Sequence, residues 1–324
     1  MDYDDDIDQN EGETLSFVTD GDGRRLDVWL ADRSGLSRSR VQSLIGDGRV
    51  ELDGVRAQAK VKPQEGQTVI VTLPPPAPAE PEPEDIPLDI IYEDADVIVV
   101  NKPAGLVVHP APGHDRGTLV NALLFHCHDL RGIGGVMRPG IVHRLDMDTT
   151  GLIVACKNEG SLQSLASQFQ SGRTSKEYLA LVHGDPGRIS GTIRTTIGRD
   201  PADRKRMAAN PPSGKSAVTH YRVEEHLGRT TLLRVRIETG RTHQIRVHMA
   251  HIGLPIVGDM LYGKRSLDGQ LPDCPRRQML HAAEFAFDHP RDGRRMIFSA
   301  PVPTDMAGMI ERCRSNTAEG LSAK

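Results

Sequence analysis

Nine consecutive residues, His143-Arg144-Leu145-Asp146-Met147-Asp148-Thr149-Thr150-Gly151, bring an imidazole, a guanidinium and two carboxylates into one short segment. They lie between two apolar stretches, Gly140-Ile141-Val142 and Leu152-Ile153-Val154-Ala155, which read as a buried strand or strand pair. A polar loop carried on a rigid sheet is where catalytic groups tend to be placed. Two carboxylates could divide acid and base work there, and His143 is a candidate base. The same residues also suit a plain polar turn, with Asp148 and Thr149 as turn formers and Gly151 supplying a positive φ.

Two further runs carry chemistry. In Thr239-Gly240-Arg241-Thr242-His243-Gln244-Ile245-Arg246-Val247-His248-Met249-Ala250-His251, Thr242 is expected to cap a helix whose exposed positions carry Gln244, Arg246 and His248. Its histidines lack the i,i+4 spacing with a Glu, or the companion cysteines, of a zinc site. Ser175-Lys176-Glu177-Tyr178-Leu179-Ala180-Leu181-Val182 puts a tyrosine at the start of a buried strand, facing a cleft or packed in the core. Nucleotide motifs fail. Ser213-Gly214-Lys215-Ser216 ends like a phosphate loop, but Ala209 stands where its first Gly must be. Gly132-Ile133-Gly134-Gly135 is too short for a dinucleotide fingerprint, and His-Arg-Leu-Asp lacks the companion motifs of a kinase. Side chains alone are expected to do the chemistry, with no cofactor and no metal.

The elements that must position these groups fall into two modules. Residues 74–85 hold six prolines and read as an extended spacer. Upstream, residues 24–73 predict a small α+β unit. A short helix spans Leu26 to Leu30, a second helix follows Ser37 as N-cap, and strand Val50-Glu51-Leu52 enters an Asp53-Gly54 turn. Arg38 and Arg40 at the second helix start form a candidate phosphate site, or are ordinary surface arginines. Downstream, residues 86–315 predict strands at 96–101, 176–183, 217–225 and 230–239, with helices at 119–125 and 161–170. Successive strands without intervening helices point to an α+β fold with a mixed, largely antiparallel sheet. Arg199 with Arg204-Lys205-Arg206 makes a basic loop suited to phosphates, or a solvated charge run.

The chain of 324 residues has four scattered cysteines and no C-x-x-C, which argues against a disulfide framework and suits a reducing cytoplasm. No signal peptide or transmembrane run is legible, so a cytoplasmic protein is expected, without membrane partners and as a monomer. The net charge of −4 hides an uneven distribution, because residues 1–23 hold nine acids and no base. The remainder has 40 basic and 35 acidic residues, and the head is expected to be a disordered acidic tail. Residues 316–324 are expected to be a C-terminal tail.

The first module resembles the αL RNA-binding motif of small ribosomal protein four, through Arg25-Leu26-Asp27, Leu36-Ser37-Arg38-Ser39-Arg40-Val41-Gln42, Ile45, Gly48, Val50 and Gly54, with Asp53 where Asn is usual. The second resembles the RluA-type pseudouridine synthases. The likeness rests on Gly140 to Leu152, on Lys176-Glu177-Tyr178-Leu179-Ala180, and on Glu238 to His248, in family order. Asn101-Lys102-Pro103-Ala104-Gly105-Leu106-Val107-Val108-His109-Pro110 and Gly258-Asp259-x-x-Tyr262-Gly263 extend it. Thr219-His220-Tyr221-Arg222-Val223 and Met249-Ala250-His251-Ile252 liken it, within the family, to synthases acting on large-subunit ribosomal RNA. Met147 departs from the pattern, since many relatives carry a basic residue there.

The resemblance implies isomerisation of uridine to pseudouridine in large-subunit (23S) rRNA or the assembling subunit, without a nucleotide or other cofactor. It makes Asp146 the catalytic aspartate, Tyr178 the ring that stacks on the flipped uracil, and Arg246 the partner of Asp146. Ile245 would wall the pocket, Arg144 would hold the vacated position in the RNA, and Arg241 would contact RNA. The physics of the reaction agrees: a flipped base needs an aromatic platform, and a carboxylate can attack the sugar or remove its proton. Asp148 and His143 then fall back to turn-forming and support. Two alternatives stay open, a non-catalytic RNA-binding ribosome-assembly factor and a hydrolytic nucleosidase.

Overall fold

The computed structural model describes residues 14–73, 81–110, 114–127, 130, 140–203, 206–271 and 275–322, without the side chains of 317–322. Contacts divide the chain into two units, Met1–Ala79 and Glu80–Lys324.

The first unit contains β1 (Thr14–Val18), α1 (Leu26–Ser34), α2 (Arg38–Gly46), β2 (Val50–Leu52), β3 (Val55–Arg56) and β4 (Thr68–Thr72). Its sheet runs β1-β4-β2-β3. Leu26, Trp29 and Leu30 of α1 and Val41 and Leu44 of α2 bury in one cluster with Val50, Val69 and Val71 of the sheet. Ser37 caps α2, its hydroxyl accepting from the Arg40 amide at 3.3 Å. Asp53 and Gly54 take positive φ values of 51° and 78°, as a tight hairpin turn requires. The Asp53 carboxylate accepts from the Thr68 amide and from Gln67 Nε2, both at 2.8 Å, so Asp here ties the hairpin to β4.

The acidic tail expected to run through residue 23 is corrected at its C-terminal end. Residues 1–13 lie outside the described segment, but Thr14–Val18 pairs antiparallel with β4. Alternating Leu15 and Phe17 pack against the core, and Asp20 accepts from Trp29 Nε1 at 2.7 Å. Apolar alternation outweighed the local acidity.

The second unit contains β5 (Ile90–Glu93), β6 (Val97–Lys102), α3 (Leu119–His126), β7 (Thr150–Cys156), α4 (Glu159–Gln170), β8 (Ser175–His183), β9 (Ser190–Arg199), β10 (Met207–Ala209) and β11 (Lys215–Leu227). It continues with β12 (Thr230–Ile237), α5 (Gln244–His251), α6 (Arg265–Asp268), β13 (Leu280–Asp288), β14 (Arg295–Ser299) and α7 (Thr304–Ser322). The strands form a sheet in the order β10-β9-β11-β12-β8-β13-β7-β6-β5, with β14 on β13. Its pairings are antiparallel apart from β7 with β13, so the fold is α+β with a mixed sheet. Side chains bury on both faces. Ile153, Ala155, Tyr178 and Ala180 join α3 and α5 on one side, and Leu152, Val154 and Phe285 join α4 on the other. Such strands read as continuous apolar runs, as the sequence around β7 and β8 does. The tail expected from residue 316 is instead helical through Ser322, continuing α7. Among the described residues no helix is long and apolar enough to cross a membrane.

One line across this sheet matters for function. Ala282 of β13 pairs with Gly151 of β7 on one side and with Tyr178 of β8 on the other. Gly151 has φ 110°, and a Cβ there would lie 2.2 Å from the Ala282 carbonyl oxygen. Only glycine fits.

In the first unit, Asp27 is fully buried and accepts from Arg25 Nε and Arg38 Nε at 3.0 Å and from Gln42 Nε2 at 2.6 Å. Burial alone would raise its pKa, but the bonds from Gln42, Arg25 and Arg38 prevail and hold it at about 2. A carboxylate lowered on folding contributes stability that is present above its unfolded pKa near 4 and is lost as pH falls through the folded value. The expected contribution is about 2 kcal/mol. Asp27→Asn should therefore lower the thermal midpoint at pH 7 and flatten its decline between pH 4 and 2; an unchanged acid limb in calorimetry would refute this.

Candidate active site

The loop from Asp146 to Gly151 is held by its own backbone. Lys102 of β6 is fully buried, and its Nζ donates to the carbonyls of Pro103, Leu106 and Met147 at 2.8, 2.9 and 2.8 Å. Burial pulls this amine down to about 7, while the charges of Asp148 and Asp146 oppose the shift. Three acceptors match the three protons of an ammonium. Arg277 Nη1 donates to the Asp148 carbonyl at 3.2 Å, and the same guanidinium is bidentate to Asp305 at 2.6 and 2.7 Å. Gln278 Nε2 donates to Thr149 Oγ1 at 3.2 Å, and Thr150 Oγ1 pairs with His281 Nδ1 at 2.9 Å. The loop cannot move as a flexible turn would, and Asp146 leaves it with a partly exposed carboxylate.

His143 does not act as a base in this arrangement. Its ring packs between Phe169 and Phe285, at 5.2 and 5.1 Å, and its Nε2 accepts from the Val154 amide at 3.0 Å. Burial, with a smaller push from Lys176, lowers its pKa to about 3. The ring is neutral and its lone pair is taken.

Asp146 faces a forked guanidinium. Arg246 Nη1 donates to Asp146 Oδ2 at 3.0 Å, while Nε and Nη2 donate to Asp259 Oδ2 and Oδ1 at 2.7 and 2.9 Å. Asp259 Oδ1 also accepts from the amides of Leu261 and Tyr262 at 2.9 and 3.0 Å. Burial would raise the Asp259 pKa, but Arg246 and these amides lower it. Burial likewise opposes the Arg246 charge, and the carboxylates of Asp259 and Asp146 raise its pKa above the usual value. The guanidinium is thus charged, buried and fixed in direction.

The helix bearing Arg246 corrects two expectations. His243, not Thr242, is the N-cap residue of α5, and no side chain caps it. Gln244, Arg246 and His248, expected on the exposed face, are all buried. Gln244 accepts from Thr239 Oγ1 and the Arg241 amide, and donates to the Val218 carbonyl and Thr219 Oγ1. His248 pairs with Thr219 Oγ1 and Thr195 Oγ1, both at 2.8 Å. Polar residues that looked solvent-facing instead bind α5 to β11 and β9, because the sheet beneath offers matching polar atoms.

A groove of about 1020 Å³ opens over these groups, lined among others by Arg144, Asp146, Tyr178, Ile245 and Arg246. Five residues singled out for substrate therefore meet in one place. Tyr178 is buried, with its pKa raised by burial and by Asp146, so its phenol stays protonated. Ile245 is buried in the groove wall and Arg144 is exposed on it. Lys176, two residues before Tyr178, also lines the groove with Nζ 4.8 Å from the Phe169 ring centre, and burial lowers its amine to about 8.

The residues expected to grip RNA lie on several elements of both units. Arg241 lines the groove and donates to the Ser216 carbonyl at 3.0 Å. Arg199 is exposed at the end of β9. Arg206, expected to contact phosphate or else to be solvated, is half-buried over the Tyr262 ring at 5.1 Å, and Arg204 and Lys205 lie outside the described residues. Arg38 is committed to Asp27, and Arg40 is exposed in the first unit. Asp259, Tyr262, His243 and Lys102 were given no role from sequence. The spacing Gly258-Asp259-x-x-Tyr262-Gly263 was the available signal.

A family model described as RNA pseudouridylate synthase matches residues 96–251, and an S4 domain model matches residues 24–69. An uncharacterized RNA pseudouridine synthase of Bacillus subtilis (strain 168) is 49% identical over 294 residues, covering 90% of this chain and 95% of that protein. Ribosomal large subunit pseudouridine synthase D of Pseudomonas aeruginosa is 44% identical over 304 residues, covering 91% and 93%. The solved structure of human RNA pseudouridylate synthase domain containing 1 aligns with a TM-score of 0.56 and 26% identity, over 74% of this chain and 97% of that one.

The lysine clamp has a measurable consequence. Lys102→Met takes the ammonium donor from the carbonyls of Pro103, Leu106 and Met147, of which Met147 keeps the Gly105 amide at 3.1 Å, and should destabilise the second unit by about 3 kcal/mol. Chemical denaturation reads this directly, and an unchanged midpoint would mean that the clamp adds nothing.

Proposed function

The chain belongs to the RNA pseudouridylate synthase family, and from that membership we propose that it converts specific uridines of large-subunit (23S) ribosomal RNA to pseudouridine, with Asp146 as the essential carboxylate. The observation that carries the assignment to Asp146 is the 3.0 Å contact of its Oδ2 with the buried Arg246, in the groove that Tyr178 also lines. Relatives named for the large ribosomal subunit support the choice of RNA.

The reaction breaks N1–C1′, turns the uracil and joins C5 to C1′. The hydrogen leaves C5, N1 regains one, and the product is an isomer with no change in oxidation level. A uridine within folded RNA must first leave its stack, and stacking on an aromatic ring offsets about 1–3 kcal/mol of that cost. Tyr178 supplies the ring and Ile245 an apolar wall, while Arg144 occupies the space the base has left. Asp146, held by Arg246, begins the chemistry either by attack at C1′ or by removing a proton from the sugar. The groove volume, at the upper end of small-molecule sites, suits a nucleotide together with its neighbours. Arg241 and Arg199, with Arg40 in the S4-type unit, contribute phosphate contacts.

Release of tritium from 5-tritiated large-subunit rRNA tests the proposal. Purified protein should release it, and Asp146→Asn should lower release by at least about 10³-fold while RNA affinity stays within about threefold. Binding without release by the wild type would leave an RNA-binding factor, and free uracil would mean a hydrolase. Removal of residues 1–73 should raise KM by about tenfold and reduce its salt dependence, with kcat within about twofold. Loss of kcat at saturation would refute a purely binding role for the first unit.

A further inference from the structure

Asp146 has two oxygens, and Arg246 engages one of them. An aspartate held at a single oxygen still turns about its broad final torsion. Reaction at a defined atom favours a carboxylate whose plane is fixed as well.

The second oxygen faces His243. Its Nε2 lies 3.9 Å from Asp146 Oδ1, and its Nδ1 lies 2.8 Å from the Tyr262 hydroxyl. That hydroxyl also accepts from the Met207 amide at 2.8 Å, and with Nε2 facing a carboxylate the arrangement favours Nδ1 as the acceptor of the phenol proton. An Nδ1 that accepts leaves the single proton of a neutral ring on Nε2. Burial lowers the His243 pKa against the opposing pull of Asp146, which keeps the ring neutral. The Nε2–H therefore points toward the oxygen that Arg246 leaves open.

Both arms start from one turn. Asp259 anchors Arg246, and three residues later Tyr262 anchors His243, with its own amide bound to Asp259. The two rings meet edge to face with centroids 5.6 Å apart. His243 also holds φ 57° and ψ 20°, a left-handed backbone uncommon for a residue with a side chain. Such a conformation persists only where the surroundings enforce it, and it is what aims the ring at Asp146.

We propose that His243 is a positioning residue for Asp146, with its tautomer set by Tyr262 and its Nε2–H orienting the carboxylate oxygen that Arg246 does not hold. The proposal rests on the reading of Asp146 as the reactive carboxylate. The separation of 3.9 Å shortens to a hydrogen bond when RNA binds, as catalytic hydrogen bonds commonly tighten on substrate binding.

Two variants separate this role from support of the backbone. His243→Gly keeps the left-handed turn without strain and removes the ring. His243→Asn tolerates the same turn and offers Tyr262 a partner, but has no atom at the Nε2 position. In the tritium-release assay both should lose about 30-fold in kcat at saturating rRNA, with KM within about threefold. Added imidazole should restore His243→Gly at least about fivefold and leave Arg246→Ala unaffected. Tyr262→Phe, which frees the tautomer, should fall about fivefold. An Asn variant with wild-type kcat, a loss confined to KM, or no response to imidazole overturns the role of His243. A wild-type protein that releases no tritium overturns instead the reading of Asp146 on which the role stands.

Discussion

A buried guanidinium shared between two carboxylates is the interaction on which the second unit turns. Arg246 is almost fully buried, and a lone charge there would cost several kcal/mol. Bidentate pairing with Asp259 offsets that cost and also fixes the plane of the fork, which leaves one N–H direction for Asp146. Asp259 in turn depends on two backbone amides of its own turn. The carboxylate that faces the groove is therefore the last member of a chain of charge-assisted bonds. It is also the one member left partly exposed.

Around that chain, the sheet supplies position and the loop clamps supply rigidity. Gly151, Ala282 and Tyr178 lie on one line across β7, β13 and β8, so the backbones of Gly151 and Tyr178 are held about two strand spacings, or roughly 10 Å, apart. The clamps on the loop act mainly through its backbone: Lys102 and Arg277 bond carbonyls and leave the side chain of Asp146 free. Burying cations to tether an acidic loop is costly and tolerates little change in the loop's length. The resulting precision suits a reaction in which a base must turn while the sugar and the carboxylate stay in place.

Much of this was legible in the residues. The three runs that meet at the groove were recognisable, and so were Ser37 as a cap, the Asp53-Gly54 turn and the largely antiparallel sheet. Several misreadings share one cause, which is that polarity was taken as exposure. Gln244 and His248 are polar yet buried, because Thr219, Thr195 and the Val218 carbonyl lie opposite them, and no periodicity reports what lies opposite. The acidic head concealed a strand whose apolar alternation spans only five residues. Arg38 and Arg206, read as phosphate contacts or as surface charge, also bond Asp27 and lie over the Tyr262 ring, which sequence does not report. Asp259 and His243 needed geometry, since a carboxylate that serves another residue looks in sequence like any other acid.

The central place of β13 has a consequence for the order in which the molecule can be made. This strand joins β7 to β8, yet it follows them by roughly a hundred residues; the Thr150–His281 contact spans 131 positions. During synthesis Asp146, Tyr178 and Arg246 all emerge before the strand that sets their spacing. A ribosome-bound chain can thus carry all three of these residues while its sheet is still open between β7 and β8. Closing so long a loop is slow, and the open edges are exposed to mispairing in the meantime. The line of Gly151, Ala282 and Tyr178 is complete only when Leu280–Asp288 inserts.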